Sequence, residues 1–356
     1  MRKLDYITVL RGVAILAVLG VHASQLGTGM QYVHPFIIGI FNNGARGVQL
    51  FYLLSAFTLF LSFSCRGPDE KLPVSNYFIR RFFRIAPLYY LAIIYYSWQN
   101  GGSTAGGIVS NLLFVHGFNP YWINGVVPGG WSVADEFIFY AMLPLLFYCI
   151  KNIQQACTFT LATLVIRLVM LVLLSRFPLI SDKDLWYNYL IGYLPNQLPI
   201  FGLGIVLYFI INGEQKKLSH KFLAIAAAII VGGLALEPGL FIPDMLYFTL
   251  AFMGLAYALQ HYHPTLLFNA GVKYIGKISY TLYLSHWAVL YILHKYPLIN
   301  VINSRNEFTA LGNFALNFGV LLGLSVALSS LLYYTIESPM QAVGKRLIAY
   351  REKQLG

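Results

Sequence analysis

Two side chains near the start of the chain are out of place in an apolar helix. In the run LDYITVLRGVAILAVLGVH, Arg11 and His22 stand eleven positions apart. At 100° per residue this spacing returns to within ~20° of the same helix face, and at 1.5 Å per residue it puts them ~16 Å apart along the axis. An ionisable side chain inside a membrane span costs ~2.5–3.5 kcal/mol on insertion scales, so each is a functional hypothesis by default. One face thus offers a cation at one depth and a titratable base at another. An imidazole has the unperturbed pKa suited to general-base work near neutrality. The structural alternatives are an Arg11 that snorkels to the surface and a His22 that only hydrogen-bonds a neighbouring helix.

Further groups follow at helical spacing. Arg81 and Arg84 lie at i and i+3 and share a face, beside Arg80. Guanidinium forks bind phosphate bidentately, although a basic anchor at the membrane edge explains part of the same cluster. Ser132 and Glu136 lie at i and i+4, at a depth close to that of His22. Ser132 is also a candidate helix cap. Glu136 is expected to orient an imidazole or bind hydroxyls, with Asp135 facing solvent. Ser279, Tyr283 and His286 share one face at i, i+4 and i+7. His286 is the rival base, with a packed, hydrogen-bonded role the expected one. Glu337 is expected to pair with an arginine such as Arg84. Cys65, Cys149 and Cys157 match no metal or redox spacing and are read as free thiols. No metal site is expected.

These groups must be held by membrane helices. The 356 residues are 58% hydrophobic and 10% charged, with a mean hydropathy of +0.65, against about 25% charged in a soluble domain. The expected fold is all-α, a polytopic integral membrane protein of about ten transmembrane helices. The spans are placed at 6–25, 47–64, 84–99, 131–150, 157–175, 194–211, 221–237, 243–260, 274–293 and 310–334. The segment 104–118 is read as re-entrant or interfacial, and the first helix as retained rather than cleaved. With both termini cytoplasmic, most of the 24 Lys and Arg fall on the inner side. The net charge of +11 then faces anionic headgroups, and no nucleic-acid partner is needed. Residues 1–338 are taken as the transmembrane domain and 339–356 as a basic amphipathic tail on the cytoplasmic surface. In the outer segment 99–130, Trp98, Tyr121, Trp122 and Trp131 lie near several asparagines. That mixture suits sugar stacking and a membrane aromatic belt equally.

Four segments, in order, resemble the acyltransferase-3 family of membrane O-acyltransferases. They are the Arg11-to-His22 helix, the Arg81/Arg84 segment RRFFRIAPLYYL, WSVADEFIFY with Trp131, Ser132 and Glu136, and ISYTLYLSH with the closing IESP. Together they span essentially the whole chain, and Asp135 departs from the pattern. The resemblance implies an acyl-CoA donor, usually acetyl-CoA, on the cytoplasmic side of a bacterial inner membrane. It implies a sugar hydroxyl as acceptor, on a lipid-linked saccharide or surface glycan such as lipopolysaccharide O-antigen. The expected roles are His22 as general base or transient acyl carrier, assisted by Glu136 and Arg11. Arg81, Arg84 and Arg11 hold the donor, and Trp131, Ser132, Tyr283 and His286 contact the acceptor. On composition alone, a transporter or flippase for a small metabolite or lipid-linked sugar is the rival.

Overall fold

The computed structural model describes residues 4–66, 69–212, 243–296 and 299–355. Every regular element among them is helical, with no strand. The span expected at 221–237 lies outside the described residues. The α-helices are α1 (Asp5–Leu26), α2 (Pro35–Asn43), α3 (Gly47–Arg66), α4 (Pro73–Gln99) and α5 (Ala105–Leu112). They continue with α6 (Gly130–Cys149), α7 (Ile153–Arg176), α8 (Lys183–Gly192), α9 (Leu194–Asn212) and α10 (Asp244–His261). The last four are α11 (Ala270–Lys277), α12 (Ser279–Lys295), α13 (Glu307–Leu332) and α14 (Ser338–Gln354), the final two joined by a π-turn at Tyr333–Glu337.

Among the described residues, six helical stretches are long and apolar enough to cross a membrane. They are Asp5–Leu26, Pro35–Arg66, Gly130–Cys149, Ile153–Arg176, Lys183–Asn212 and Glu307–Gln354. The expected spans at 84–99 and 243–260 are helical but shorter in apolar run. The segment 104–118 contains only α5 and a single 3-10 turn at His116–Phe118. Eight residues at 1.5 Å each reach ~12 Å, too short for a ~30 Å core. Helix α7 turns Thr160, Thr163 and Arg167 inward, Arg167 donating to Asn196 at 2.7 Å, and with only 22% of its most apolar window buried its remaining apolar surface suits a face toward lipid.

One expected span, 274–293, is two helices. The break falls at Ile278, between α11 and α12. Its cause is the way α11 meets α1. Gly276 faces Thr8 and Gly12, and a Cβ at Gly276 would collide with the Thr8 carbonyl oxygen. A Cβ on Gly12 would in turn lie 2.5 Å from the Val272 carbonyl oxygen. Two glycines thus let the backbones approach as larger residues could not.

Helix α1 occupies the middle of the bundle and packs against α2, α3, α10, α11, α12 and α13. Val9, Leu10, Ala14, Ile15, Leu19 and Ala23 are fully buried in these contacts. Helix α3 lies between α1 and α9, α9 packs on α7, and α6 leans on α3. The basic tail is not free: α14 packs along α4, with Gly344 against the Phe83 ring. The Glu352 carboxylate accepts bonds from the Lys71 and Leu72 amides and from Asn76, and Arg351 donates to Ser75. These bonds fix the N-terminal turns of α4, the helix that carries Arg81 and Arg84.

Candidate active site

Five helices converge on a cavity of about 70 Å³, lined by residues that include Arg11, Arg81, Arg84, Ser132, Glu136, Ser279 and Tyr283. Seven of the residues singled out in the sequence therefore meet in one place. Helix α1 brings Arg11, whose Nη2 donates to Thr58 Oγ1 at 3.3 Å. Its guanidinium is directed across to α3 rather than back to the membrane surface. Helix α4 brings Arg81 and Arg84 from consecutive turns. Their neighbour Arg80 points elsewhere, in a two-pronged pair with Glu70 at 2.6 and 3.0 Å. The Arg81 Nε is buried and has no hydrogen-bond partner among the described residues. A buried donor left unmade is unfavourable, so this cluster is chemically ready for an anion.

Helix α6 brings Ser132 and Glu136. Ser55 of α3 donates to the Glu136 carboxylate through a short hydrogen bond. Ser132 does not cap the helix: the N-cap is Gly129, at φ +71, a conformation that favours glycine. Instead Ser132 Oγ lies 2.8 Å from the Tyr283 hydroxyl, which itself donates to the Gly129 carbonyl at 3.1 Å. Tyr283 of α12 thereby ties the start of α6 to the cavity wall.

Two other expectations for α6 change. Asp135 does not face solvent but is completely buried, with Tyr52 donating to its Oδ2 at 3.4 Å. The reason lies upstream, where the turn at His116–Phe118 folds over the first turn of α6. Gly117 sits so close that a Cβ there would lie 3.1 Å from Ala134. His116 Nε2 lies 3.0 Å from both the Gly130 carbonyl and the Tyr89 hydroxyl, and Tyr89 donates to Asn111 at 2.8 Å. Asn111 and His116 thus anchor the segment 104–118 to α4 and α6. Trp131 turns away from the cavity, packing on Gly192 and edge-on to Tyr52 at 6.2 Å between ring centres.

His22 and His286 lie next to the cavity rather than in its wall. The His22 ring centre is 5.3 Å from that of His286 and 4.4 Å from that of Trp287. The His286 ring is in turn 5.9 Å from Tyr283. The partner of His22 is Gln25, with Nδ1 and Oε1 3.1 Å apart, and not Glu136. His286 is fully buried. Its Nδ1 donates to the Leu282 carbonyl at 3.1 Å, and its Nε2 has no partner among the described residues. Glu337 accepts from Thr281 and Gln341, and Arg84, the arginine expected beside it, acts on its carboxylate electrostatically.

Tyr140, the last residue of the WSVADEFIFY segment, lines the cavity too, whereas Ser55, Thr58, Tyr52, Tyr280 and Gln25 were not singled out in the sequence, yet all but Gln25 line it. A signal was present for three of them. Gln49, Tyr52, Ser55 and Thr58 recur every third residue along α3, and at about 100° per residue Tyr52, Ser55 and Thr58 share an arc of about 120° on its surface.

Comparison with known proteins identifies the family. Residues 4–334 match the acyltransferase-3 family, described as an acyltransferase domain. The chain is also similar to Acyltransferase MdmB of Streptomyces mycarofaciens, with 28% identity over 377 residues covering 97% of this chain and 93% of that protein. No solved structure matches. A cavity bounded by three arginines, a carboxylate and eight hydroxyl-bearing residues, with a histidine pair one ring beyond it, thus occurs in a chain that belongs to the acyltransferase-3 family of membrane acyltransferases.

Proposed function

We propose that the protein transfers an acyl group, acetyl in the first instance, from acyl-CoA to a sugar hydroxyl on a lipid-linked or surface glycan. The observation that carries this reading is the convergence of Arg11, Arg81 and Arg84 on one cavity. CoA carries phosphates, and guanidinium groups are the side chains best matched to them. The cavity's 70 Å³ is about the liquid volume of two waters. It therefore accommodates one small group of the donor until the helices around it part. Tyr283 and His286 lead from there to His22. The ~16 Å rise from Arg11 to His22 along α1 is comparable to an extended pantetheine arm.

In this mechanism the acceptor hydroxyl oxygen attacks the thioester carbonyl while His22 takes the hydroxyl proton. The carbon–sulfur bond breaks, and the sulfur leaves as the CoA thiol once protonated. Glu136 stays with the arginines, where it limits their mutual repulsion. The protein then crosses a bacterial inner membrane ten times with both termini cytoplasmic, an orientation supported by the distribution of Lys and Arg. The transporter or flippase alternative has no observation in its favour, since the family match is to acyltransferases.

The test is acetyl-CoA binding and thiol release by the purified protein, with mass spectrometry of surface glycans from cells with and without the gene. An acetyl increment that disappears with His22→Ala is expected. A wild-type protein that neither binds nor cleaves acetyl-CoA would falsify the proposal.

A further inference from the structure

The hydrogen bond between His22 and Gln25 has a chemical consequence. An amide oxygen has no proton to give, so the bond between Gln25 Oε1 and His22 Nδ1 requires the ring to carry its proton on Nδ1. A neutral imidazole protonated on Nδ1 keeps its lone pair on Nε2. Gln25 stands three residues after His22 on α1, so the two side chains meet over one helical turn. The end of that turn is itself fixed. Asn300 donates to the Leu26 carbonyl at 3.0 Å, and its own side-chain oxygen accepts from the Thr28 amide at 2.9 Å. Asn313 and Asn317 of α13 hold Asn300 in place, at 2.9 and 3.1 Å.

We infer that Gln25 is a positioning residue that sets the tautomer and orientation of His22, so that Nε2 is the basic nitrogen presented to the acceptor hydroxyl. The inference rests on the proposed role of His22 as base. The partner's neutrality matters as much as its position. A carboxylate there would hold the imidazolium and raise the pH at which the base becomes free. An amide orients the ring without that penalty. The other ring contacts of His22 are His286 and Trp287, both on α12, and His286 is the one titratable group among them. It shows the same pattern, with Nδ1 donating to Leu282 and Nε2 without a partner among the described residues.

The experiment measures thiol release from acetyl-CoA by the purified full chain in detergent, across pH 5 to 9. The variants are Gln25→Met, Gln25→Glu and His22→Ala. Gln25→Met keeps the length and removes the acceptor. It should lower kcat about tenfold, with KM for acetyl-CoA unchanged. Gln25→Glu keeps the acceptor and adds a charge, so it should restore most of kcat at high pH and move the acid limb up by about one pH unit. If His22→Ala is inactive while both Gln25 variants keep the wild-type rate and profile, this inference is wrong and the role of His22 stands. If His22→Ala keeps the full rate, the mechanism itself fails. A Gln25→Met variant that does not fold leaves the pH shift of Gln25→Glu to decide, and an unshifted limb there overturns the assignment.

Discussion

The polar groups around Tyr283 fall into two sets of different chemistry. On one side, three guanidiniums and one carboxylate line a cavity of about 70 Å³. On the other, two imidazoles pack at tilted angles against Trp287, with no charged side chain among their ring contacts in the described residues. A site for polyanions needs fixed positive charge, which a low dielectric strengthens. A base needs the reverse, because a cation beside an imidazole lowers its proton affinity. With one member of each set on α1, Arg11 and His22 about three turns apart, one helix fixes the spacing between the two sets. The contrast therefore predicts that damage to the two sides separates in kinetics.

The largest effect is expected from His22→Ala. General-base catalysis contributes roughly 10²–10⁴-fold, so kcat for acyl transfer should fall by about that factor. Acetyl-CoA affinity should stay within about threefold of wild type, because the arginine cavity is untouched. Titration calorimetry with acetyl-CoA, alongside thiol release, reads both quantities. Loss of donor binding in this variant would merge the two regions into one.

Next in size is Arg84→Ala. A hydrogen bond between charged groups is worth about 1.5–3 kcal/mol, so the Kd for acetyl-CoA should rise about ten- to a hundredfold. Arg84→Lys should recover part of that, since an ammonium supplies charge without the fork. Arg80→Ala offers the control within the same cluster. Its guanidinium is held by Glu70 outside the cavity, and the effect on Kd should be smaller than for Arg84. Equal losses for both arginines would mean that general positive charge, not the cavity, holds the donor.

The sequence revealed the charged set better than the neutral one, for physical reasons. Arg11, Arg81, Arg84 and Glu136 stand out because ionisable groups are rare in apolar helices, and helical spacing places them on common faces. That Arg11 and Glu136 share one cavity was not legible. It depends on α6 packing against α3, which sets Ser55 beside Glu136, a contact between residues whose spacing carries no periodic signal. The turn at His116–Phe118, folded over the first turn of α6, encloses Asp135, which by its charge alone belonged in solvent. Gln25 escaped notice as an ordinary polar residue at a helix end, and its role depends on a single side-chain bond. Ser55 and Thr58 were readable as a stripe along α3, though each alone is unremarkable in a membrane helix. Trp131 shows the opposite failure. Its neighbours on α6 suggested the site, but Gly192 at the end of α8 leaves a gap that draws the indole away.

A middle-sized effect tests the spacing that α1 imposes. Gly276→Ala would place a methyl group against the Thr8 carbonyl, and overpacking of this kind costs typically 1–3 kcal/mol. Because the clash is between α1 and α11, it should push α1 sideways and disturb both regions at once. The expected outcome is a lower melting temperature in detergent, with kcat and acetyl-CoA affinity falling together. A change confined to one of the two would show that α1 does not couple them.

The smallest effect discriminates within the charged region. Ser55 donates to Glu136, and a typical hydrogen bond contributes about 0.5–1.5 kcal/mol net. Replacing Ser55 by Ala leaves the carboxylate short of a donor in a cavity where Arg11 is the nearest cation on α1. Glu136 should then draw a guanidinium toward itself, taking a share of the positive charge that the donor phosphates need. Acetyl-CoA affinity is expected to fall about fivefold, with kcat at saturation unchanged. Ser55→Thr, which keeps the hydroxyl, should retain most of the affinity. A fall in kcat with affinity intact would instead move Ser55 and Glu136 to the acceptor side of Tyr283, and the division between the two regions would have to be redrawn there.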